Sequence, residues 1–157
     1  MSSFDIRNGT AIDAAISHFH DPQRFPKVHL PYKLEQQFNA YCRDEFSETV
    51  DVLSIQASKS FRYKCRTYKC RIDQIRDGKL WDVKYSKMGP SRCLRYYLPQ
   101  LIVSAYAFGV EIGGIINVKN YETPNPVYYA IDSVTPVEEL MAILHTLLGR
   151  CKIEDLQ

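Results

Sequence analysis

The residues whose types and spacing suit chemistry crowd into one run, Arg71-Ile72-Asp73-Gln74-Ile75-Arg76-Asp77-Gly78-Lys79-Leu80-Trp81-Asp82-Val83-Lys84. Two carboxylates and an ammonium flank an Asp-Gly pair set between alternating stretches, and Asp-Gly favours a two-residue hairpin turn because both of its central positions take positive φ. Pairing Arg76 with Lys79 across that turn puts Asp73 opposite Asp82 and Arg71 opposite Lys84, with Asp82 and Lys84 on one side. Opposed side chains in such a pair have Cβ atoms roughly 4.5–5.5 Å apart, so the register predicts two carboxylates that repel each other. A divalent cation such as Mg2+ or Mn2+ would relieve that repulsion, since it prefers hard oxygen ligands and keeps waters for substrate and nucleophile. The chemistry this suits is phosphodiester hydrolysis. There a metal neutralises the scissile phosphate and acidifies a bound water, while an adjacent ammonium orients that water or stabilises the developing charge. The other reading of the same residues is an exposed hairpin whose aspartates are solvated or paired with Arg71 and Lys84.

Charge points the same way. The net charge of the 157-residue chain is only +2, yet from Lys59 to Arg95 there are 12 Lys or Arg against three Asp, leaving 8 basic against 15 acidic residues elsewhere. The basic segment also carries Phe61, Tyr63, Tyr68, Trp81 and Tyr85. That mixture of phosphate-neutralising and stacking side chains suits nucleic acid, or else belongs to a solvated two-faced sheet whose aromatics fill a core.

The elements that must position these residues follow from periodicity. Ile12, Ala15, Ile16 and Phe19 fall at helical spacing from Thr10 to Phe19, before a loop broken by Pro22, Pro26 and Pro31. A second helix is expected from Tyr32 to about Phe46, with Leu34, Phe38, Tyr41 and Cys42 on one stripe. β-Branched and aromatic content predicts strands at Val50–Ala57, Phe61–Arg66, Tyr68–Arg76 and Lys79–Tyr85, forming an antiparallel centre. An apolar helix spans Leu94 to Phe108, with Pro99 as a candidate for its true start. Strands at Glu111–Lys119 and Pro126–Asp132 precede a last helix from Thr135 to about Gly149, opened by Thr135-Pro136-Val137-Glu138. Helices at both ends of a strand cluster predict a single domain over residues 1–157, of α/β (α+β) class with a mixed central sheet.

The pattern Arg-Ile-Asp, a turn, then Asp-x-Lys resembles the core of PD-(D/E)xK nucleases in their RecB-like exonuclease branch, which includes mitochondrial genome maintenance and phage recombination exonucleases. The resemblance runs in order along most of the chain. It implies a restriction-endonuclease-like fold and a catalytic set of Asp73, Asp82, Lys84, Gln56 and Gln100, with Asp73, Asp82 and Asp13 as metal ligands. Asp13, in Gly9-Thr10-Ala11-Ile12-Asp13, stands where the family has a histidine, and Gln56, in Leu53-Ser54-Ile55-Gln56, where it has a glutamate. Gln100-Leu101-Ile102-Val103-Ser104-Ala105-Tyr106 is similar to the family's Gln-x-x-x-Tyr helix, with the tyrosine two positions late. The loop and helix near DNA in that family correspond here to Lys87, Arg92, Arg95, Tyr96 and Tyr97. Some members carry an iron–sulfur cluster on a late group of three cysteines; only Cys151 lies late here, so no cluster is expected.

Other features carry less. His18 and His20 lack a third ligand and read as surface or capping residues rather than zinc ligands. Gly113-Gly114 lacks the lysine of a phosphate-binding loop and reads as a turn or strand bulge. Five cysteines without CxxC pairs read as reduced thiols. No secretory signal pattern and no apolar run of about 20 residues is visible, which predicts a soluble intracellular protein of bacterial or host-cell cytoplasm, or nucleus, without membrane contact.

The sequence therefore predicts a Mg2+- or Mn2+-dependent deoxyribonuclease, an exonuclease of DNA recombination, repair or viral DNA processing. Expected partners are DNA, as single strands or duplex ends, and a second copy of the chain or a replication or recombination protein. The alternative is a catalytically degenerate nuclease-fold module that binds nucleic acid or a protein without turnover.

Overall fold

The computed structural model describes residues 3–44, 48–63, 66–119, 127–130 and 142. Helices α1 (Ser3–His20) and α2 (Tyr32–Cys42) come first. A 3-10 turn at Val52–Ser54 leads into strands β1 (Ser58–Tyr63), β2 (Arg66–Arg71), β3 (Gln74–Arg76) and β4 (Lys79–Lys84). Helix α3 (Pro90–Phe108), β5 (Glu111–Asn117) and β6 (Val127–Ala130) complete the described order. The expected helix from Thr135 to Gly149 lies outside the described residues, apart from helical Ala142.

The protein is mixed α and β, with two sheets among the described residues: a two-stranded β1-β2 ribbon and a four-stranded sheet in the order β3-β4-β5-β6. Within the latter, β4 and β5 run parallel while both outer pairs are antiparallel. The strands paired within Val50–Tyr85, β1 with β2 and β3 with β4, are antiparallel as expected, and the parallel β5 makes the central sheet mixed. Parallel neighbours need a long crossover, and α3 supplies it between β4 and β5.

Two apolar clusters cover the sheet. Ile72, Leu80, Leu101, Ala105 and Ile115 pack between it and α3. Ile12, Ile16, Leu34, Tyr41, Val83 and Ile116 pack on the side of α1 and α2. Consecutive Ile115 and Ile116 thus serve opposite layers, as a central strand buried on both faces requires.

The expected hairpin forms with the expected register, Arg76 opposite Lys79 and Gln74 opposite Trp81. Asp77 and Gly78 both take positive φ, 52° and 73°, as its turn demands. The ladder stops at Gln74, however, so Arg71 does not face Lys84. Arg71 closes β2 opposite Ser58, and Ile72 N–H donates to Ala57 O at 2.9 Å.

The expected strand over Val50–Ala57 is instead a single bridge from Val50 to Arg76 followed by the 3-10 turn. Polar side chains there outbid the ladder. Asp51 accepts from Leu53 N–H at 3.1 Å, Ser54 Oγ donates to Asp51 O at 2.5 Å and accepts from Ile75 N–H at 2.8 Å.

Helix α3 begins at Pro90, behind an extended Gly89, and holds Pro99 in its interior rather than at its start. Gly113-Gly114 is a bulge: Leu80 pairs with Ile112 and Trp81 with Gly114, which leaves Gly113 as the extra residue. A side chain at Gly113 would collide with the Trp81 indole.

Between β3 and the first two helices lies a buried polar network. Tyr41 Oη accepts from Gln74 Nε2 and Arg76 Nη2, each at 2.9 Å, and donates to His20 Nε2 at 2.6 Å. Burial, with Arg76 beside it, pushes His20 down to about 4, so the ring is a neutral acceptor at ordinary pH. His18 Nδ1 donates to Phe25 O at 2.7 Å. Cys42, Cys70 and Cys93 are free thiols. Among the described residues no helix is long and apolar enough to cross a membrane.

Candidate metal and phosphoryl site

The C-terminal end of β4 projects past the short β3, and the space left beside it is a cavity of about 290 Å³. Asp13, Asp73, Asp82, Lys84, Tyr97 and Gln100 all line it, together with Arg71. Five elements or connections converge: α1 brings Asp13, β2 brings Arg71, the β2–β3 connection brings Asp73, β4 brings Asp82 and Lys84, and α3 brings Tyr97 and Gln100.

Asp73 leaves the ladder but still reaches β4 through its side chain, where Oδ2 accepts from Val83 N–H at 2.7 Å. Its backbone carbonyl accepts from Gln56 N–H at 3.1 Å. Gln56 itself sits at φ 54°, a left-handed conformation uncommon for a non-glycine residue. That backbone aims its amide at the acids: Nε2 donates to Asp13 Oδ2 at 2.9 Å and to Asp73 Oδ1 at 3.2 Å. An ionised glutamate there could donate nothing to either carboxylate, whereas the Gln56 amide bridges both.

Asp82 is buried, at 6% exposure. Its Oδ2 forms an ion pair with Lys84 Nζ at 3.0 Å, although no well-directed hydrogen bond reaches that oxygen among the described residues. Lys84 Nζ also stands 4.3 Å from the centroid of the Tyr97 ring. Burial alone would push Lys84 down, but Asp82, Asp73 and Tyr97 reverse the effect and hold it above its ordinary value. The lysine is a fixed cation at neutral pH.

The acids respond in the opposite way. Burial first, then the Asp82 charge, raises Asp13 to about 6, opposed by the Gln56 hydrogen bond and by Arg71 and Lys84. Burial, Asp82 and Asp13 push Asp73 well above the carboxylate range. Three carboxylates thus share one charge-starved place, which is the repulsion that the hairpin register implied.

A divalent cation would find hard oxygen donors here and one buried carboxylate oxygen short of a directed hydrogen bond. Among the described residues no group of three or more His, Cys, Asp or Glu is arranged to hold a metal ion. Magnesium commonly takes only one or two carboxylates and keeps waters, so Asp73 and Asp82 are the pair that would fit such an ion, while Asp13 is tied to Asp73 through the Gln56 amide.

The remaining sequence-derived residues spread apart. Tyr97 turns inward under Lys84, while Lys87, Arg92, Arg95 and Tyr96 lie exposed outside the cavity. Tyr106 packs against Phe61 on the ribbon, away from the acids. Sequence reasoning missed Arg71 and the Val83 amide as site members. Arg71 had a signal, its position two residues before Asp73 in an alternating run; the Val83 N–H had none, since backbone donors carry no sequence mark. A methyl at Gly9 would meet Tyr85 Cβ at 3.4 Å, an ordinary contact, so packing does not demand that glycine.

No protein-family model, curated protein or solved structure matches the chain.

Proposed function

We propose that the protein is a divalent-metal-dependent deoxyribonuclease with a restriction-endonuclease-like fold, similar to RecB-like PD-(D/E)xK exonucleases, acting in DNA recombination, repair or viral DNA processing. The observation that carries this reading is the meeting of Asp73, Asp82 and Lys84 in one cavity, with Lys84 Nζ 3.0 Å from Asp82 Oδ2. Asp73 and Asp82 would hold Mg2+ or Mn2+. Such an ion, when bound, supplies a Lewis acid for the scissile phosphate and acidifies a water.

The chain's own residues do the rest. Lys84, kept charged by its carboxylate neighbours, orients the attacking water and stabilises negative charge on the phosphoryl oxygens. Asp82 and the Tyr97 ring hold the ammonium in place. The Val83 amide fixes Asp73, and Gln56 ties Asp73 to Asp13. Arg71 and Gln100 line the wall where a phosphodiester would lie. Water adds to phosphorus, the bond to one ester oxygen breaks, and the products are a phosphate monoester and an alcohol.

A second reading is favoured by Gln56. Its amide nitrogen donates to both Asp13 and Asp73 and so occupies oxygens that a metal ligand set would use, which supports a nuclease-fold module that binds nucleic acid or a protein and does not turn over. End-labelled single-stranded and duplex DNA, incubated with Mg2+, Mn2+ or EDTA, separates the two. Metal-dependent cleavage supports the enzyme; binding without cleavage supports the module.

A further inference from the structure

The register of β1 and β2 sorts the basic segment onto two faces. Lys59 pairs with Cys70 and Phe61 with Tyr68, and these side chains turn toward α3. There Phe61 stacks on Tyr68 with centroids 5.6 Å apart, meets Tyr106 at 5.6 Å, and Lys59 Nζ lies 5.8 Å from the Phe108 centroid. Those aromatics are therefore committed to packing, not to stacking bases.

Side chains alternate across a strand, so the intervening pairs, Ser58 with Arg71, Ser60 with Lys69 and Arg62 with Thr67, share the opposite face. All six residues are exposed. The face consists of cations and hydroxyls, and the sequence contains no carboxylate from Ala57 to Ile72. Among the described residues Arg62, Lys69 and Arg71 take part in no ion pair.

Arg71 joins this face to the candidate site. It lines the cavity that holds Asp73 and Asp82, and with Gln100 it also lines a second cavity of about 440 Å³, walled by Lys69, Cys70, Pro99 and Ser104. The two cavities adjoin across Arg71 and Gln100.

We propose that the outward face of the β1-β2 ribbon is a phosphate track that leads one strand of single-stranded nucleic acid past the second cavity and into the candidate site. The inference rests on the nuclease reading and adds to it the form of the substrate. The cations of this face follow one line, Arg71 and Lys69 on β2 and then Arg62 of β1, which pairs with Thr67, with successive same-face positions spaced by roughly 6.8 Å. One file of donors serves one backbone. Guanidinium, ammonium and hydroxyl groups bind phosphate oxygens without reading base edges, so the track is indifferent to sequence. An acidic peptide would match the charge, but the track ends at a site built for a phosphodiester, which favours nucleic acid.

The test is fluorescence anisotropy of a labelled oligothymidylate with the full chain in EDTA, over a range of salt. R62E/K69E should weaken binding at least tenfold and flatten the slope of log K against log salt by about 1.4, two phosphate contacts at about 0.7 each. R62Q/K69Q should give a smaller loss in the same direction, and K33E on α2 should bind like the parent. Metal-dependent hydrolysis of bis(p-nitrophenyl) phosphate, too small to reach the ribbon, should be the same in parent and R62E/K69E. If R62E/K69E keeps the parent's affinity and slope while the parent cleaves DNA, the track is overturned and the site reading survives. If R62E/K69E loses binding but the parent never cleaves, the track stands and the catalytic reading falls. Loss of duplex binding alone, or displacement of the oligonucleotide by polyglutamate at equal charge, would overturn the single-strand occupant.

Discussion

Lys84 Nζ lies 4.3 Å from the centroid of the Tyr97 ring, a contact that joins the end of β4 to the inner face of α3. A cation over an aromatic face is worth about 0.5–2 kcal/mol, according to how far it is desolvated. With Asp82 on one side and the Tyr97 ring on the other, the ring helps set where the Lys84 ammonium points.

Tyr97→Phe keeps the ring and should cleave at close to the parent's rate. Tyr97→Ala should lower the turnover rate by roughly 2- to 30-fold, the kinetic equivalent of that energy. Titration calorimetry should give the same Mn2+ affinity for both variants, since neither change removes a ligand. Equal losses in the two variants would assign the effect to the hydroxyl and remove the ring from this role.

Asp13 and Asp73 each contribute stability at low pH when metal is absent. Asp13 is raised from 3.8 to about 6, and Asp73 is raised well above the same starting value. At these two groups the folded chain holds protons that the unfolded chain has released, so their contribution to stability falls as pH rises from about 3.8 through about 6, against the opposite contribution of His20, lowered from 6.5 to about 4. For Asp13 alone the change is on the order of 2–3 kcal/mol. Urea unfolding in EDTA should show Asp13→Asn losing part of this slope and exceeding the parent in stability above pH 6. Identical pH dependence in the two proteins would contradict the shared burial of these acids.

Gly113 is where the sheet admits Trp81. Gly113→Ala puts a methyl into the indole, and overpacking of this kind costs about 1–3 kcal/mol. Chemical denaturation should show that loss, with no change in DNA affinity in EDTA because Gly113 lies outside the cavity walls. Full stability in the variant would mean that Trp81 and β5 can move apart without penalty.

How much of this was legible in the sequence depended on whether the determinant was local. Asp77-Gly78 dictates its own turn geometry, so the hairpin and its register could be read directly, and with them the nearness of Asp73 to Asp82. The direction of β5 relative to β4 could not, because alternation and burial look alike in parallel and antiparallel strands. The segment Val50–Ala57 has the composition of a strand, yet Asp51 and Ser54 satisfy its backbone locally, a competition that propensity averages hide. Asp13 joins the site from a distant helix, and only the resemblance to a nuclease family indicated it. The ribbon's two faces follow from a register that sequence could not supply, since extending the Asp77-Gly78 hairpin puts Arg71 opposite Lys84, whereas it pairs with Ser58.

The most direct test of the central claim is one cleavage assay on end-labelled DNA, comparing the parent with Asp82→Asn and Lys84→Ala in Mg2+, in Mn2+ and in EDTA, with Mn2+ affinity measured on the same preparations. The account predicts that the parent cuts only with metal, that both variants are inactive, and that Asp82→Asn loses Mn2+ affinity while Lys84→Ala retains it, because one change removes a ligand and the other a contact to the reacting phosphate. Cleavage by all three proteins alike, or Mn2+ binding unchanged by Asp82→Asn, would contradict it and leave the carboxylates and lysine as a structural cluster.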